Sequence, residues 1–387
     1  MNPRHSISGL LALTVVLFGL SGCETPADPE VDNAALNQKK VALGDALFHD
    51  TNLSLNRTMA CATCHQTGSA MIDPRNTAAV GASLGDDDFS RSDRNAPTAA
   101  YAAFTPSFHF DSAEGLYIGG QFHDGRAKDL KAQAKGPFLN PVEMMMPDES
   151  SVIERVKENS ERVEQFKAIY GENIFDDDLK AYDALADSIA LFEMSDVFAP
   201  FDSKYDRFLS GQESLTPLEA EGLRLFEGKA MCSACHPGTT DDGSRPLFTD
   251  YSYDNLGVPV NHALREANGL GEGYIDNGLG ARRDINDPAL NGAFKVATLR
   301  NIAVTGPYMH NGLFKDLKTV VHFYNTRDVD GAINPETGLP WEEGEVDATK
   351  NVNELGDLGL SDEEEDALVA FMNTLTDRQY EHLIPAD

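Results

Sequence analysis

The sequence predicts a mainly α-helical protein of two domains, with long ordered loops and little β-structure. Its 387 residues are 41% apolar, a composition typical of a globular chain long enough to form two cores. A short amphipathic pattern occurs twice: Leu-Gly-x-x-Leu-Phe begins at Leu43, and the related Gly-Leu-x-Leu-Phe begins at Gly222. We therefore expect two related domains, covering residues 38–210 and 211–387.

Further helices are expected from apolar periodicity and from capping residues. Residues 151–170 and 178–192 have apolar side chains at helical spacing. Thr216, followed by proline and then Glu219, is typical of a capped helix start, and Ser361 before a run of acidic residues is another. By contrast, the glycine- and aspartate-rich stretches 237–292 and 328–356 are predicted to be loops.

The N-terminus predicts export. Arg4 precedes an apolar run that ends at Leu-Ser-Gly-Cys, and the run is too short to span a bilayer comfortably. The pattern resembles a bacterial lipoprotein signal over residues 1–23, with Cys23 lipidated and residues 24–37 as a polar linker. The alternative is an ordinary signal peptide with a coincidental cysteine. We expect a periplasmic location, with the protein anchored to a membrane by lipid.

Charge limits the classes of partner. The net charge of −32 argues against nucleic acid and favours basic partners, of which small basic cytochromes are candidates. Adaptation to a salty environment explains the same charge equally well, so composition alone decides little.

The motif Cys-x-x-Cys-His occurs twice and uses every cysteine except Cys23. A Cys-x-x-Cys pair alone could form a disulfide, half of a zinc site or a redox pair, but a histidine directly after it is typical of covalent haem attachment. Two copies on an exported chain predict two haem c groups in cytochrome c-like domains. The attachment residues are Cys61, Cys64, Cys232 and Cys235, and the proximal iron ligands are His65 and His236.

Four longer segments resemble the bacterial di-haem cytochrome c peroxidase and MauG family. They are 121–127, 133–144, 294–301 and 305–312, and the similarity extends over most of residues 41–376. The resemblance implies that the N-terminal haem meets peroxide while the C-terminal haem stores and relays electrons. It also implies that Glu143 is the acid and base that splits the O–O bond, with Gln133 beside it. The alternative for Glu143 is a surface carboxylate.

Three positions depart from the typical peroxidase pattern. Ala82 stands where a histidine caps the first iron, which predicts an open iron in the resting state, as in MauG. Tyr324 stands where a methionine ligates the second iron, and it predicts a lower potential for that haem. The alternative is a packed tyrosine with Met309 as the ligand. His123 replaces a tryptophan between the haems, so it is either an electron-relay candidate or a structural histidine.

The resemblance also implies one calcium ion between the domains. Asn95, Thr305 and Pro307 match its ligand positions, and oxygen donors of this kind suit calcium. Asn95 capping a turn before Pro97 is the alternative.

We therefore expect a peroxidase that reduces hydrogen peroxide with electrons from a small cytochrome c or another periplasmic redox protein, without reductive activation. The first alternative is a MauG-like enzyme that oxidises aromatic side chains of a partner protein. The second is a non-catalytic electron-transfer cytochrome, against which Glu143 and Gln133 argue. The family often forms dimers, so a homodimer is a further expectation.

Overall fold

The computed structural model describes residues 29–76, 80–238 and 245–385. Helices make up 41% of it and strands 7%, so the prediction of a mainly helical protein with little sheet is confirmed. Cys23 and the predicted signal lie outside the described residues. Within the described ranges, no helix combines the length and the apolarity that crossing a bilayer requires.

Helices and short strands alternate with loops along the described chain. The helices are α1 (Pro29–Phe48), α2 (Cys61–Cys64), α3 (Leu130–Ala134), α4 (Gly136–Leu139), α5 (Glu149–Lys157), α6 (Ser160–Tyr170), α7 (Asp178–Glu193), α8 (Lys204–Leu209), α9 (Pro217–Glu227), α10 (His262–Asn268), α11 (Leu317–Thr326) and α12 (Asp362–Asn373). The antiparallel strand pairs are β1 (His109–Asp111) with β2 (Leu116–Ile118), β3 (Tyr253–Asp254) with β4 (Phe294–Lys295), and β5 (Ile333–Asn334) with β6 (Leu339–Pro340).

The predicted helix starts are confirmed at α9 and α12. The hydroxyl of Thr216 accepts the third backbone N–H of α9, the hydroxyl of Ser361 does the same for α12, and the reciprocal glutamate completes a capping box in each case. Residues 151–170, however, form two helices. The side chain of Asn159 accepts two backbone N–H groups at the start of α6, and this cap separates α6 from α5.

Two segments that were not predicted to be helical contain helix in the structure. Helix α1 begins at Pro29, so residues 29–37 of the expected linker are helical; Pro29 is tolerated in a first turn, and the alanines and leucine after it favour helix. The predicted loop 237–292 contains α10 and β3. The apolar cores change over between Phe198 and Tyr205, and the domain boundary at 210 stays a prediction.

The repeated sequence pattern corresponds to a repeated packing of helices. Helix α1 packs against α7 in the first core, and α9 packs against α12 in the second. A Cβ added to Gly44 would lie 1.9 Å from the carbonyl oxygen of Ser188, and one added to Gly222 would lie 1.9 Å from that of Ala367. Each glycine therefore lets two helix backbones touch, which fixes the segment leading into each Cys-x-x-Cys-His motif.

The two halves also meet backbone to backbone. A Cβ on Gly81 would lie 2.5 Å from the carbonyl oxygen of Gly312, and one on Gly312 would lie 2.3 Å from that of Gly81. Both have positive φ angles, 87° and 64°, which favour glycine. The side-chain amide of Asn261 donates to the carbonyls of Val80 and Asn311, at 3.0 Å each. The loop that contains Ala82 is thus held against the second half.

Gly222→Val should destabilise the protein because its side chain would collide with the α12 backbone. Overpacking of this kind costs about 1–3 kcal/mol or more, whereas valine is not intrinsically worse than glycine in a helix. Chemical denaturation of the mature holoprotein would measure the loss. Gly273→Val is the matched control, since no atom lies within 4 Å of the added Cβ at that position. Equal stability of the two variants would contradict the close α9 to α12 contact.

Candidate functional site

The first Cys-x-x-Cys-His motif folds as a single helical turn. Helix α2 holds both cysteines, and the turn ends where the backbone N–H of His65 donates to the carbonyl of Cys61 at 3.0 Å. The Nδ1–H of His65 donates to the carbonyl of Met71 at 3.1 Å, and burial lowers the pKa of the imidazole. The ring is therefore neutral and oriented, and its Nε2 is left to bind a metal.

The second motif has the same arrangement on a 3-10 turn. His236 follows that turn, and its Nδ1–H donates to the carbonyl of Phe248 at 2.8 Å. Burial again lowers the pKa of the imidazole. In both halves a backbone carbonyl fixes Nδ1 of the histidine. Nε2 is then left to face a haem iron, as an axial histidine requires.

A large cavity adjoins the second motif. Its wall includes Cys232, Cys235 and His236, and on other sides Tyr324 and Met309. The four motif cysteines are not in disulfides, and burial raises their pKa values, so they form apolar walls beside each histidine. These residues fit a covalently attached haem.

Tyr324 lies on α11 with its ring in the cavity wall. Burial raises the pKa of its phenol, and the sulfurs of Cys235 and Cys232 raise it further. The phenol therefore keeps its proton unless a cation such as ferric iron compensates the phenolate charge. Met309 lines the same cavity, so both predicted candidates for the second axial ligand lie where the haem would be.

Glu143 lies near the first motif. It is close enough to raise the pKa of the thiols of Cys61 and Cys64. The amide of Asn140 donates to Oε1 of Glu143 at 2.7 Å. Burial raises the pKa of Glu143, while Arg126 and Asn140 oppose the shift. A carboxyl group in this environment holds a proton more readily than an exposed one, as acid–base chemistry requires.

Gln133 and Ala82 are the other two residues of the first half that the sequence singled out. Gln133 lies on α3, and no hydrogen bond joins its side chain to Glu143. Ala82 is fully buried, and its carbonyl accepts a hydrogen bond from Arg91 at 2.7 Å. A methyl side chain offers no ligand atom at this position.

The predicted calcium ligands and His123 meet between the halves. The Asn95 amide donates to the carbonyl of Pro307 at 2.7 Å, and the hydroxyl of Thr305 donates to the Ile302 carbonyl at 3.3 Å. The structure thus brings Asn95 and Pro307 together, across 212 positions of sequence. The side chain and carbonyls are oxygen donors of the kind that calcium prefers, and calcium itself stays a prediction.

His123 is tied to the backbone. Its Nε2–H donates to the carbonyl of Asn95 at 3.0 Å. Burial, helped by the Arg94 charge, lowers the pKa of His123 to about 4, so the ring is neutral. This hydrogen bond fits the structural role that was one of the two alternatives for His123, and a role in electron relay stays a prediction.

Several residues around these sites were missed at the level of sequence. Arg126 and Asn140 lie inside the segments that resemble the family, so their positions could have indicated a role at the site. Arg94 lies outside those segments, and nothing in the sequence indicated its role. Its guanidinium forms two 2.7 Å hydrogen bonds to Asp276 and one of 2.8 Å to Asp124, and Asp276 is 182 positions away.

Comparisons with known proteins agree on one family. The family model described as di-haem cytochrome c peroxidase matches residues 38–214. The methylamine utilization protein MauG of Paracoccus denitrificans is 48% identical over 380 residues, which are 97% of this chain and 96% of that protein. The cytochrome c peroxidase Ccp of Escherichia coli is 31% identical over 294 residues, 74% of this chain and 53% of its own. The diheme peroxidase BthA of Burkholderia thailandensis matches in structure with a TM-score of 0.80 and 31% identity, covering 90% of this chain and 88% of that one.

Tyr324→Phe should open the second haem to cyanide and raise its reduction potential, because a phenolate donor is lost. Optical titration with cyanide and spectroelectrochemistry would measure both effects. Tyr308→Phe is the matched control, because Tyr308 lines the same cavity while its hydroxyl donates to the Ile302 carbonyl at 3.0 Å. If Tyr324→Phe leaves spectrum and potential unchanged, Met309 becomes the ligand to test.

Proposed function

This chain belongs to the di-haem cytochrome c peroxidase and MauG family, and from that premise we propose that it reduces hydrogen peroxide to water without reductive activation. Membership makes it an oxidoreductase with two c-type haems. In the proposal, residues 38–210 form the peroxidatic cytochrome c-like domain and residues 211–387 the electron-transfer domain. The electron donor is a small cytochrome c or a similar periplasmic protein.

The half-buried Glu143 beside the first Cys-x-x-Cys-His motif carries the proposal. Bound haem iron supplies the redox chemistry. As the O–O bond breaks, Glu143 takes a proton from one oxygen of the peroxide and delivers it to the other, which leaves as water. Two electrons from the donor protein and two further protons convert the remaining oxygen to a second water. Asn140 holds one carboxylate oxygen at 2.7 Å, so the group is oriented before substrate arrives. A protein that only relayed electrons would need no such group.

The second half receives the electrons. Its Cys-x-x-Cys-His motif and the ring of Tyr324 line one cavity, and the contact of Gly81 with Gly312 joins that half to the peroxide side. The net charge of −32 favours a basic donor protein. The same proposal includes export, lipidation at Cys23 and a homodimer. It also includes a calcium ion bound by Asn95 and by the carbonyls of Thr305 and Pro307.

A MauG-like activity, oxidising aromatic side chains of a partner protein, is the second candidate. The 48% identity to a MauG over nearly the whole chain favours it, as does Tyr324. His123 at the tryptophan position argues the other way, since histidine is harder to oxidise. Peroxide added with a candidate partner and no cytochrome would distinguish the two by the mass of the partner.

Glu143→Gln should bind peroxide yet turn over about 10² to 10⁴-fold more slowly, equivalent to about 3–5 kcal/mol of barrier. Because burial raises the pKa of Glu143, kcat/KM for peroxide should fall with decreasing pH, with a midpoint above the pKa range of ordinary glutamates. This pH dependence should be absent from the variant. Stopped-flow kinetics across pH would measure both. Glu193→Gln is the control, since Glu193 is 7% exposed and also lies close to Cys61. Equal turnover of Glu143→Gln and wild type would refute the role.

The protein as isolated, with both haems oxidised, should respond to peroxide at once. No histidine stands at Ala82, so no ligand has to be withdrawn from the first iron by prior reduction. Electron paramagnetic resonance should show a high-spin signal from one haem. Two low-spin signals and no response to peroxide before reduction would show that another residue caps the iron.

Ala82→His gives the reverse test. It should convert that haem to low spin and make turnover depend on pre-reduction. Ala82→Leu adds comparable bulk without a ligand atom, so a similar loss in both variants would indicate a steric effect and not ligation.

A further inference from the structure

Lys295 is a partly enclosed cation without a carboxylate partner in the described part of the chain. Its ammonium donates to the backbone carbonyl of Gly120 at 2.6 Å. Asp124 is the acidic group whose charge it feels, but that carboxylate already accepts from Arg94 at 2.8 Å and from Arg126 at 3.1 Å. Burial lowers the pKa of Lys295 to about 8. A neutral carbonyl compensates an enclosed ammonium poorly, so the site favours an added anion.

His310 has a polar atom without a hydrogen-bond partner among the described residues. It is 8% exposed, and its Nε2 has no hydrogen-bond partner among the described residues. Its ring stacks on Phe294 with centroids 3.6 Å apart and planes 11° apart, so the ring cannot swing away without losing that contact. Phe294 and Lys295 form β4, so His310 packs against the strand that contains Lys295. Buried polar atoms are rarely left without a partner.

Both groups line the cavity that contains the second Cys-x-x-Cys-His motif and Tyr324. A haem held in this cavity carries two propionate groups, and each is an anion that accepts hydrogen bonds. Lys295 supplies a charge, and His310 supplies an N–H through its Nε2 tautomer. The backbone N–H of Lys295 also donates to the carbonyl of His123 at 2.8 Å, which fixes β4 against the first half.

We propose that Lys295 and His310 bind the propionate carboxylates of the second haem. The proposal rests on haem attachment at Cys232 and Cys235, and it does not depend on the peroxidase reaction. The ammonium of Lys295 offsets the negative field of the propionate at the iron, which favours the reduced state. Lys295 therefore sets the potential of the relay haem while touching neither iron nor peroxide.

The test uses the mature protein with both haems, verified by intact mass. Lys295→Met should lower the midpoint potential of one haem and shift its propionate-bending band in the resonance Raman spectrum. Lys295→Arg should retain both values, because it keeps the charge. Lys128→Met is the control, since the Lys128 side chain is 76% exposed. An unchanged potential and band in Lys295→Met would overturn the role of the lysine.

His310→Phe separates the second group. Phenylalanine keeps the stacking on Phe294 and removes the N–H, so the propionate band should shift with little change in potential. An unchanged band would remove His310 from the site. Wild-type midpoint potentials that move with added chloride or phosphate, a response lost in Lys295→Met, would show a diffusible anion instead and overturn the proposal. A wild-type mass that lacks one haem would refute the attachment. The peroxidase proposal is tested separately by the turnover of Glu143→Gln, so its failure would leave the potentials and propionate bands of the Lys295 and His310 variants unchanged.

Discussion

The approach of Gly81 to Gly312 is the contact on which the arrangement of both halves depends. Each glycine has a positive φ and faces backbone where a Cβ would be, so the two segments meet closer than side chains would allow. Asn261 ties the same segments through two carbonyls. This contact holds the buried Ala82 loop in place and fixes which part of the second half faces the first.

Two cations between the halves, Arg94 and Lys295, differ in how their charge is compensated. Arg94 is satisfied by two carboxylates, and its charge strongly lowers the pKa of Asp276. Among the described residues, the Lys295 ammonium has a carbonyl partner and no carboxylate partner. Removing one partner of a buried ion pair is costly, so the Arg94 cluster works as a fixed structural link. In our proposal, the Lys295 ammonium, which also donates to the Gly120 carbonyl, is instead the group that meets a propionate of the second haem.

In the proposed reaction, proton transfer and electron storage take place in different halves of the molecule. Glu143 lies near the first motif, where burial raises its pKa and Asn140 orients it. The second motif lies in an apolar cavity with Tyr324, where burial opposes ionisation of the phenol. A carboxyl group that holds a proton suits bond cleavage, whereas a site that excludes water suits stable electron storage.

Local patterns in the sequence determined the motifs that precede each histidine, the caps of α9 and α12, the mainly helical content and the family. These features depend on residues within one helical turn or on long matching segments, so they can be read without coordinates. The break at Asn159 and the helical start at Pro29 were not predicted, because capping and propensity compete there within a few residues. Only the tertiary structure decided which carbonyls orient His65 and His236, and that Asn95 meets Pro307. It also decided that Lys295 has no carboxylate partner within the described ranges. Those outcomes depend on groups brought together from distant parts of the chain, and burial, which sets their charge states, exists only once the chain has folded.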